Sequence, residues 1–570
     1  MNAERLLAQF ERISDAPDAI PRLRRFILDL AVRGKLVEQD QEEIDERTFC
    51  RLAPQAKPCD LIPDFWLYVP LAGLLSEDTR NGYSRKPDDA LDGVPILRIS
   101  AGTARPDGLV AEEEFKLISG IDDKLLDQYE VRTGDLLACR FNGNKDYVGR
   151  LSLFRGYLRQ RFIYPDKLIR IRLAEELAEP SFLRWISGAD LVREEIETKC
   201  ATTVGNWGIS AGKLKTCLVP LPPLAEQHRI VAKVDELMAL CDQLEAARQK
   251  REQGRERLLA STLQRLNQPA EDPASFRKDA SFALQVLPSL TTTSAQIKQL
   301  RQTILNLAVR GKLVEQDPED EPAEELLARF AEAKIEIKRA TGDARIKVAD
   351  DACPDSLPMS LPPTWECQSF QNLFLFIDYR GNTPPKTTDG VPLITAKNVR
   401  MGYLDREPRE YVSPQTLVAW MTRGLPRLGD LFFTTEAPLG NVCINNIDEP
   451  FALAQRVICL QPYSEISTRF VMYTLMSSDM QEMIEAQATG LTAKGIKAAK
   501  LKPLPIPLPP LAEQRRIVAK VDTLLALCDQ LERQLSQADQ QRRRLLEAVL
   551  AEALGGRLPT GQEESHAAIA

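Results

Sequence analysis

The chain has 570 residues, too many for one hydrophobic core, so several domains are expected. Hydrophobic residues make up 44% and charged residues 27%, as in a globular protein, and no apolar run approaches the roughly 20 residues that span a membrane. The net charge of −8 argues mildly against a nucleic-acid partner, although an average conceals local segregation.

In chain order, residues 1–60 read as a helical segment containing LAVRGKLVEQD, Leu30 to Asp40. Residues 61–220 have a mixed pattern of short apolar runs and loops. Leu221 to Glu245, LPPLAEQHRIVAKVDELMALCDQLE, begins a helix that the pattern carries to Leu266, a rod of about 65 Å at 1.5 Å per residue. Prolines 222 and 223 suit its first turn, and Glu226 suits its positive end. Asn267 to Ala295 reads as a turn-rich connection. Ile297, Leu300, Ile304, Leu307 and Leu313 then mark a short helix able to pack back along the long one, and a charged helix follows Asp317. Residues 361–507 are a second mixed region, 508–555 a second long helix, and 556–570 a disordered tail.

Two stretches occur twice. LAVRGKLVEQD returns unchanged at Leu307 to Asp317, and Leu508 to Glu532 repeats Leu221 to Glu245 with three differences in 25 positions. The chain is therefore one plan written twice, with the framing pieces kept and the framed regions diverged. Only echoes join the latter: DGVP at Asp92 and Asp389, GDLL at Gly134 and GDLF at Gly429. Ile230, Val234, Leu237, Cys241 and Leu244 step by 4, 3, 4, 3, as do Ile517, Val521, Leu524, Cys528 and Leu531, the spacing of a coiled-coil seam. The N-terminal short helix has no long helix before it, and the last long helix has no short helix after it. Closing the ends together would give each long helix a partner around an internal two-fold. The 11 cysteines are scattered without a Cys-x-x-Cys pair, and Cys241 and Cys528 sit in the seam, so reduced thiols and a cytoplasmic setting are expected.

Catalytic chemistry is hard to place. There are two histidines, one of them, His566, in the tail, and there is neither a P-loop nor a dinucleotide fingerprint. NTPPK at Asn382 departs from the Asn-Pro-Pro-aromatic motif of amino-methyltransferases. The chain is expected to be non-catalytic and to bind no metal or cofactor itself.

A binding surface is easier to find. Val131 to Arg172 holds ten Lys or Arg against three acids, with aromatics interleaved. Its string CRFNGNKDYVGR offers Arg140, Asn142, Asn144, Lys145 and Tyr147, groups able to meet phosphates and base edges. Gly-, Thr- and Lys-rich strings stand before both Pro-rich strips. The first contributes Thr202, Thr203, Asn206, Trp207 and Lys213; the second contributes Thr489, Thr492, Lys494 and Lys497. Tyr379, Arg380, Asn382, Lys386 and Lys397, in a polar and basic loop, and Thr435 complete the candidate DNA contacts.

The blocks LAVRGKLVEQDPEDEPAEELLARF and PLPPLAEQRRIVAKVD, with LPPTWE at Leu361, YRGNTPPK at Tyr379 and ATGLTAKGIKAAKLK at Ala488, resemble Type I restriction–modification specificity subunits over nearly the whole chain. The resemblance implies an α+β fold, with two globular target recognition domains separated by long antiparallel coiled-coil helix pairs in a pseudo-two-fold repeat. It implies a subunit that reads split double-stranded DNA, one domain per half-site. Two modification subunits would bring S-adenosylmethionine, and up to two restriction subunits would bring ATP and Mg. The alternatives are a coiled-coil protein scaffold without DNA specificity and a self-sufficient methyltransferase or nuclease.

Overall fold

A computed structural model describes residues 16, 18–45, 50–88, 93–103, 105–203, 205–267, 273–347, 357, 359–379, 383–490 and 494–554. It mixes helix and sheet and divides into two units: Met1–Arg251 with Ala538–Ala570, and Glu252–Gln537. The expected tail from Gly555 lies outside the described residues. Among those described, no helix is long and apolar enough to cross a membrane.

In the first unit, helix α1 (Ala19–Val32) buries Ile20, Ile27, Leu28 and Ala31, at helical spacing, in one core with Ile230, Val234, Met238 and Cys241 of the long helix α2 (Leu224–Asn267). Arg24 fixes the pair by reaching Asp242 at 2.6 Å and Glu245 at 3.0 Å. The mixed region between the helices is closed on itself. Its first strand, Leu67–Pro70, pairs antiparallel with its last, Leu218–Leu221, in register Leu67 to Leu221. Just outside this ribbon the Trp66 indole donates to Glu226 Oε2 at 3.0 Å. The Gln227 amide donates to the carbonyls of Leu177 and Pro222, and its oxygen accepts from the Glu179 N–H at 2.8 Å. Both side chains are fully buried in the first turn of α2, where the helix's unpaired N–H groups favour a carboxylate. Burial nevertheless pushes the Glu226 carboxyl above its ordinary range.

The second unit repeats most of these contacts. Its connection is not turn-rich: Pro273–Leu290 is an 18-residue helix, α3. After it, α4 (Ser294–Val309) starts from a reciprocal cap between Thr293 and Gln296. The charged segment is α5 (Ala323–Thr341), ended by Gly342 at φ +64°. Ile297, Ile304 and Ala308 of α4 share a core with Ile517, Val521 and Cys528 of α6 (Leu511–Leu554). Arg301 reaches Asp529 at 2.6 Å and Glu532 at 2.8 Å. The ribbon is Glu366–Ser369 against Pro505–Leu508, Glu513 lies against Trp365, and Gln514 accepts from the Ser467 N–H at 2.9 Å.

This corrects the expected pairing. Each short helix packs along the first half of the long helix that follows its own mixed region, because the ribbon returns the chain to where the short helix ended. The far half of α2 packs on α3, and the far half of α6 meets the beginning of α1, where Arg22 reaches Glu547 at 2.9 Å. Leu259 and Leu263 of α2 pack with Leu290 and, at the edge, Leu300; Leu546 and Val549 of α6 pack with Ala16 and Ala19. The seam also drifts. Met238 is buried, whereas Leu237, Leu524 and Leu531 are half-buried and Leu244 is 37% exposed. A straight helix at 3.6 residues per turn slips off a 3.5-residue stripe within two heptads. Cys241 and Cys528 are buried free thiols.

The diverged regions share a topology. The first unit has an antiparallel sheet in the order Leu75–Asn81, Leu168–Leu173, Leu136–Cys139, Leu151–Leu153; the second has Phe374–Asp378, Val457–Pro462, Leu431–Thr435, Leu439–Ile444. A further sheet is centred on Val94–Leu97 in one and Val391–Ile394 in the other, each with one parallel neighbour. The echoes mark the turns before these strands. Gly134 and Gly429 have φ +91° and +89°, a region costly for residues with a Cβ. Asp135 and Asp430 accept the N–H of the residue three before, Arg132 at 2.7 Å and Arg427 at 2.6 Å.

Ile230→Ala and Ile517→Ala should each cost about 2–4 kcal/mol in urea unfolding, whereas Leu244→Ala should cost less than about 1. Asp29, 5% exposed, accepts the Asp190 N–H at 2.8 Å, and burial raises its pKa to about 6. Its equivalent is Asn306, which accepts the Ser478 N–H at 3.0 Å. A raised carboxyl pKa means the folded state holds the proton more tightly, so stability falls as pH rises from about 4 to about 6. Asp29→Asn should flatten that fall and raise stability at pH 7 by about 1–2 kcal/mol, read from unfolding midpoints across pH.

Candidate nucleic-acid interface

The string after Cys139 is not a free loop. Phe141–Asn142 is the edge strand of a three-stranded sheet with Asn206–Gly208 and Ala201–Thr203, Asn142 opposite Trp207 and Trp207 opposite Thr202. Two strings about sixty residues apart thus become one surface. Gly208 is required there, because a Cβ would lie 2.4 Å from the Phe141 ring. The Arg140 guanidinium sits 4.9 Å from the centre of that ring and the Lys167 amine 5.0 Å, while Lys145 lies 4.9 Å from the Trp207 ring. Lys145 also lies 3.2 Å from Glu197.

The loop beyond is held by its own amides. Asn142 Oδ1 accepts the Asn144 N–H at 2.9 Å, and Asn144 Oδ1 accepts the Asp146 N–H at 3.0 Å. Beneath it Arg193, on the helix Asp190–Lys199, donates to the carbonyls of Val148 at 2.8 Å and Lys145 at 3.0 Å. Asn144, Thr202, Asn206 and Lys213 are exposed, and Arg140, Asn142, Lys145, Tyr147 and Trp207 are half-buried. Thr203 lies on the strand, its side chain outside the described residues.

Much of the basic run is spent internally. Arg161 pairs with Glu130 and Asp127. Arg170, 5% exposed, reaches Glu77 at 3.1 Å, and Arg172 reaches Asp135 and Glu77, both at 2.7 Å. The run leaves exposed Arg155 and Arg159 and, on aromatic rings, the cluster of Arg140, Lys145 and Lys167.

In the second unit the corresponding surface is sparser. Two expected contacts are core residues. Tyr379 is 4% exposed, stacks on Trp420 at 6.1 Å and donates its hydroxyl to the Gly424 carbonyl. Thr435 is 4% exposed, and its carbonyl accepts the Ile496 N–H. Both side chains are thus turned into the core and away from the surface. Lys386 is 2.7 Å from Glu410, and Lys494 pairs with Glu485. Lys397, Lys497 and Thr489 are exposed, with Thr489 exchanging two backbone hydrogen bonds with Gly495. Arg380, Asn382 and Thr492 lie outside the described residues.

Register supplies a pair that residue patterns do not reveal. The Arg140 N–H donates to the Lys167 carbonyl at 2.8 Å, and the Thr435 N–H donates to the Arg456 carbonyl at 2.9 Å. Lys167 and Arg456 are therefore equivalents, each entering the central strand of its sheet. Arg456 holds φ +75°, a strained value for a residue with a Cβ, and lies 3.5 Å from Glu436.

Residues 413–538 match the model of the Type I restriction modification DNA specificity domain. Over 93% of both chains, the protein is 26% identical to the Type I restriction enzyme EcoAI specificity subunit of Escherichia coli. Over 94% of both it is 26% identical to the EcoEI specificity subunit, also of Escherichia coli. The chain thus carries a match to the Type I specificity domain and is similar along nearly its whole length to Type I specificity subunits. A crystal structure of the HsdS subunit from Thermoanaerobacter tengcongensis is 21% identical, covers 87% of this chain and 97% of that one, and superposes with a TM-score of 0.44.

Arg193 is a positioning residue: it holds the loop that carries Lys145 and Asn144 through backbone carbonyls. Arg193→Met should speed amide exchange over residues 145–149 at least tenfold, about 1.4 kcal/mol of lost local protection, measured by hydrogen–deuterium exchange. Unchanged exchange would remove that role.

Proposed function

We propose that this chain is a specificity subunit that reads a two-part double-stranded DNA target with one recognition domain per half-site. The observation that carries this is the contrast between the two units. Their frames share Arg24 and Arg301, Glu226 and Glu513, Gln227 and Gln514 in the same contacts. Their candidate surfaces differ in the residues at the same register positions: Arg140 against Thr435, Phe141 against Glu436 and Lys167 against Arg456. A frame kept twice suits two copies of one partner, and two different faces suit two different ligands. DNA supplies two such ligands in one molecule, the half-sites of a split sequence.

On this reading the chain is non-catalytic and acts in the cytoplasm. Two modification subunits dock on the repeated helices and supply S-adenosylmethionine and methyl transfer. Up to two restriction subunits supply ATP- and Mg-dependent translocation and cleavage. Arg140, Lys145 and Lys167, held by aromatic rings, face DNA as cations with little rotamer freedom left to lose on binding. Their charge answers the acidic total of the chain, much of which lies on the helices.

The test is to express the chain with its modification subunit in a methylation-free host and sequence the modified bases. A split motif with a constant gap is expected. Lys145→Met with Lys167→Met should weaken affinity for matched DNA about 5- to 150-fold, the range of one or two lost contacts, and relax one half of the motif. Arg456→Ala should relax the other half only. A soluble complex that methylates nothing, or variants that lose both halves equally, would favour the protein scaffold.

A further inference from the structure

We propose that the second unit carries an oxyanion site in the cleft between α5, the residues that follow it and Lys502. Four cations line this cleft: Lys334, Arg345, Lys347 and Lys502. Asp343 stands beside them, and its carboxylate is bound to Arg345 through both oxygens, which holds its pKa down. Lys334 is 7% exposed, donates to the neutral Asn372 amide oxygen at 2.5 Å and lies 6.0 Å from the Tyr463 ring. Lys502 lies over the Phe376 ring at 5.7 Å, and among the described residues neither it nor Lys347 has an ion-pair partner. Gln371 adds an amide to the lining. Tyr463 is 8% exposed, and burial pushes its hydroxyl up to about 12, so it remains a proton donor at neutral pH.

The first unit shows what such a lysine looks like when it has no ligand to wait for. The repeat places Lys215 where the second unit has Lys502, and Lys215 is neutralised by Asp78 at 2.6 Å. In the second unit the same lysine meets an aromatic face, and α5 and its C-terminal extension add three more cations. A cluster of like charge that includes a buried amine gains most from a compact anion able to accept several N–H bonds at once. Phosphate has that geometry, either as a free oxyanion or as one phosphate of the DNA backbone. The backbone source rests on the function proposed above; the site itself does not.

The experiment uses the full chain. Inorganic phosphate is titrated and followed by 31P NMR for wild type, for Lys347→Met with Lys502→Met, and for Lys347→Arg with Lys502→Arg. Saturable broadening by wild type is expected, weakened at least tenfold in the methionine pair and restored in the arginine pair. The salt dependence of DNA affinity is measured on the same proteins. A slope smaller by about 1 in the methionine pair identifies a DNA phosphate, and an unchanged slope identifies a free oxyanion. Phosphate signals that are the same with wild type and the methionine pair would overturn the site. If wild type bound no DNA, the DNA reading would fall while the phosphate titration still decided the site.

Discussion

Everything else in the structure depends on how each mixed region is closed. Its first and last strands pair with each other, Leu67–Pro70 with Leu218–Leu221 and Glu366–Ser369 with Pro505–Leu508. The ribbon returns the chain to its point of departure, so a long helix starts beside the short helix that preceded the region. That meeting creates the apolar cores on Ile230 and Ile517 and brings Arg24 and Arg301 to their carboxylate pairs. Beyond the ribbon, the helix pair grips the mixed region at a few places, through Gln227 at Leu177 and Glu179 and through Asp29 at Asp190.

The join is polar, which sets its character. A glutamate and a glutamine are wholly buried at the head of each long helix, costly unless every hydrogen bond is made. Gln227 makes three, tying the helix to the Pro-rich turn and to the mixed region at Leu177 and Glu179. These bonds have directions, so they fix the rotation of the domain on its helix in a way that apolar packing alone would not.

The sequence made some of this plain and hid the rest, for physical reasons. The duplicated blocks, the long helices and the glycine–aspartate turns at Gly134 and Gly429 were legible because they are local patterns. The recognition loops were only partly so. Tyr379 reads as polar and aromatic, yet it extends the apolar strand Phe374–Asp378 into the core, and that continuity was the available signal. Thr435 likewise ends a strand whose five residues are all buried. The kinship of Lys167 and Arg456 could not be read from composition, since it is written in backbone hydrogen bonds that cross between strands. The overcounted basic run failed for a similar reason: acids as distant as Glu77 are brought onto Arg170 and Arg172 by sheet pairing. Which short helix meets which long helix was also invisible, because both present the same residues.

That sameness has a consequence for how the chain reaches its native state. Helix α2 presents the same aspartate–glutamate pair and nearly the same stripe as α6, so contact energy alone scarcely distinguishes α1 from α4 as its partner. The native choice is made by connectivity: the intended helices are joined through a mixed region already shut by its ribbon, and shutting it first shortens the loop whose entropy must be lost. Order of events, rather than complementarity, keeps the two halves from exchanging partners. Emergence of the first half from the ribosome before the second would supply that order without further cost.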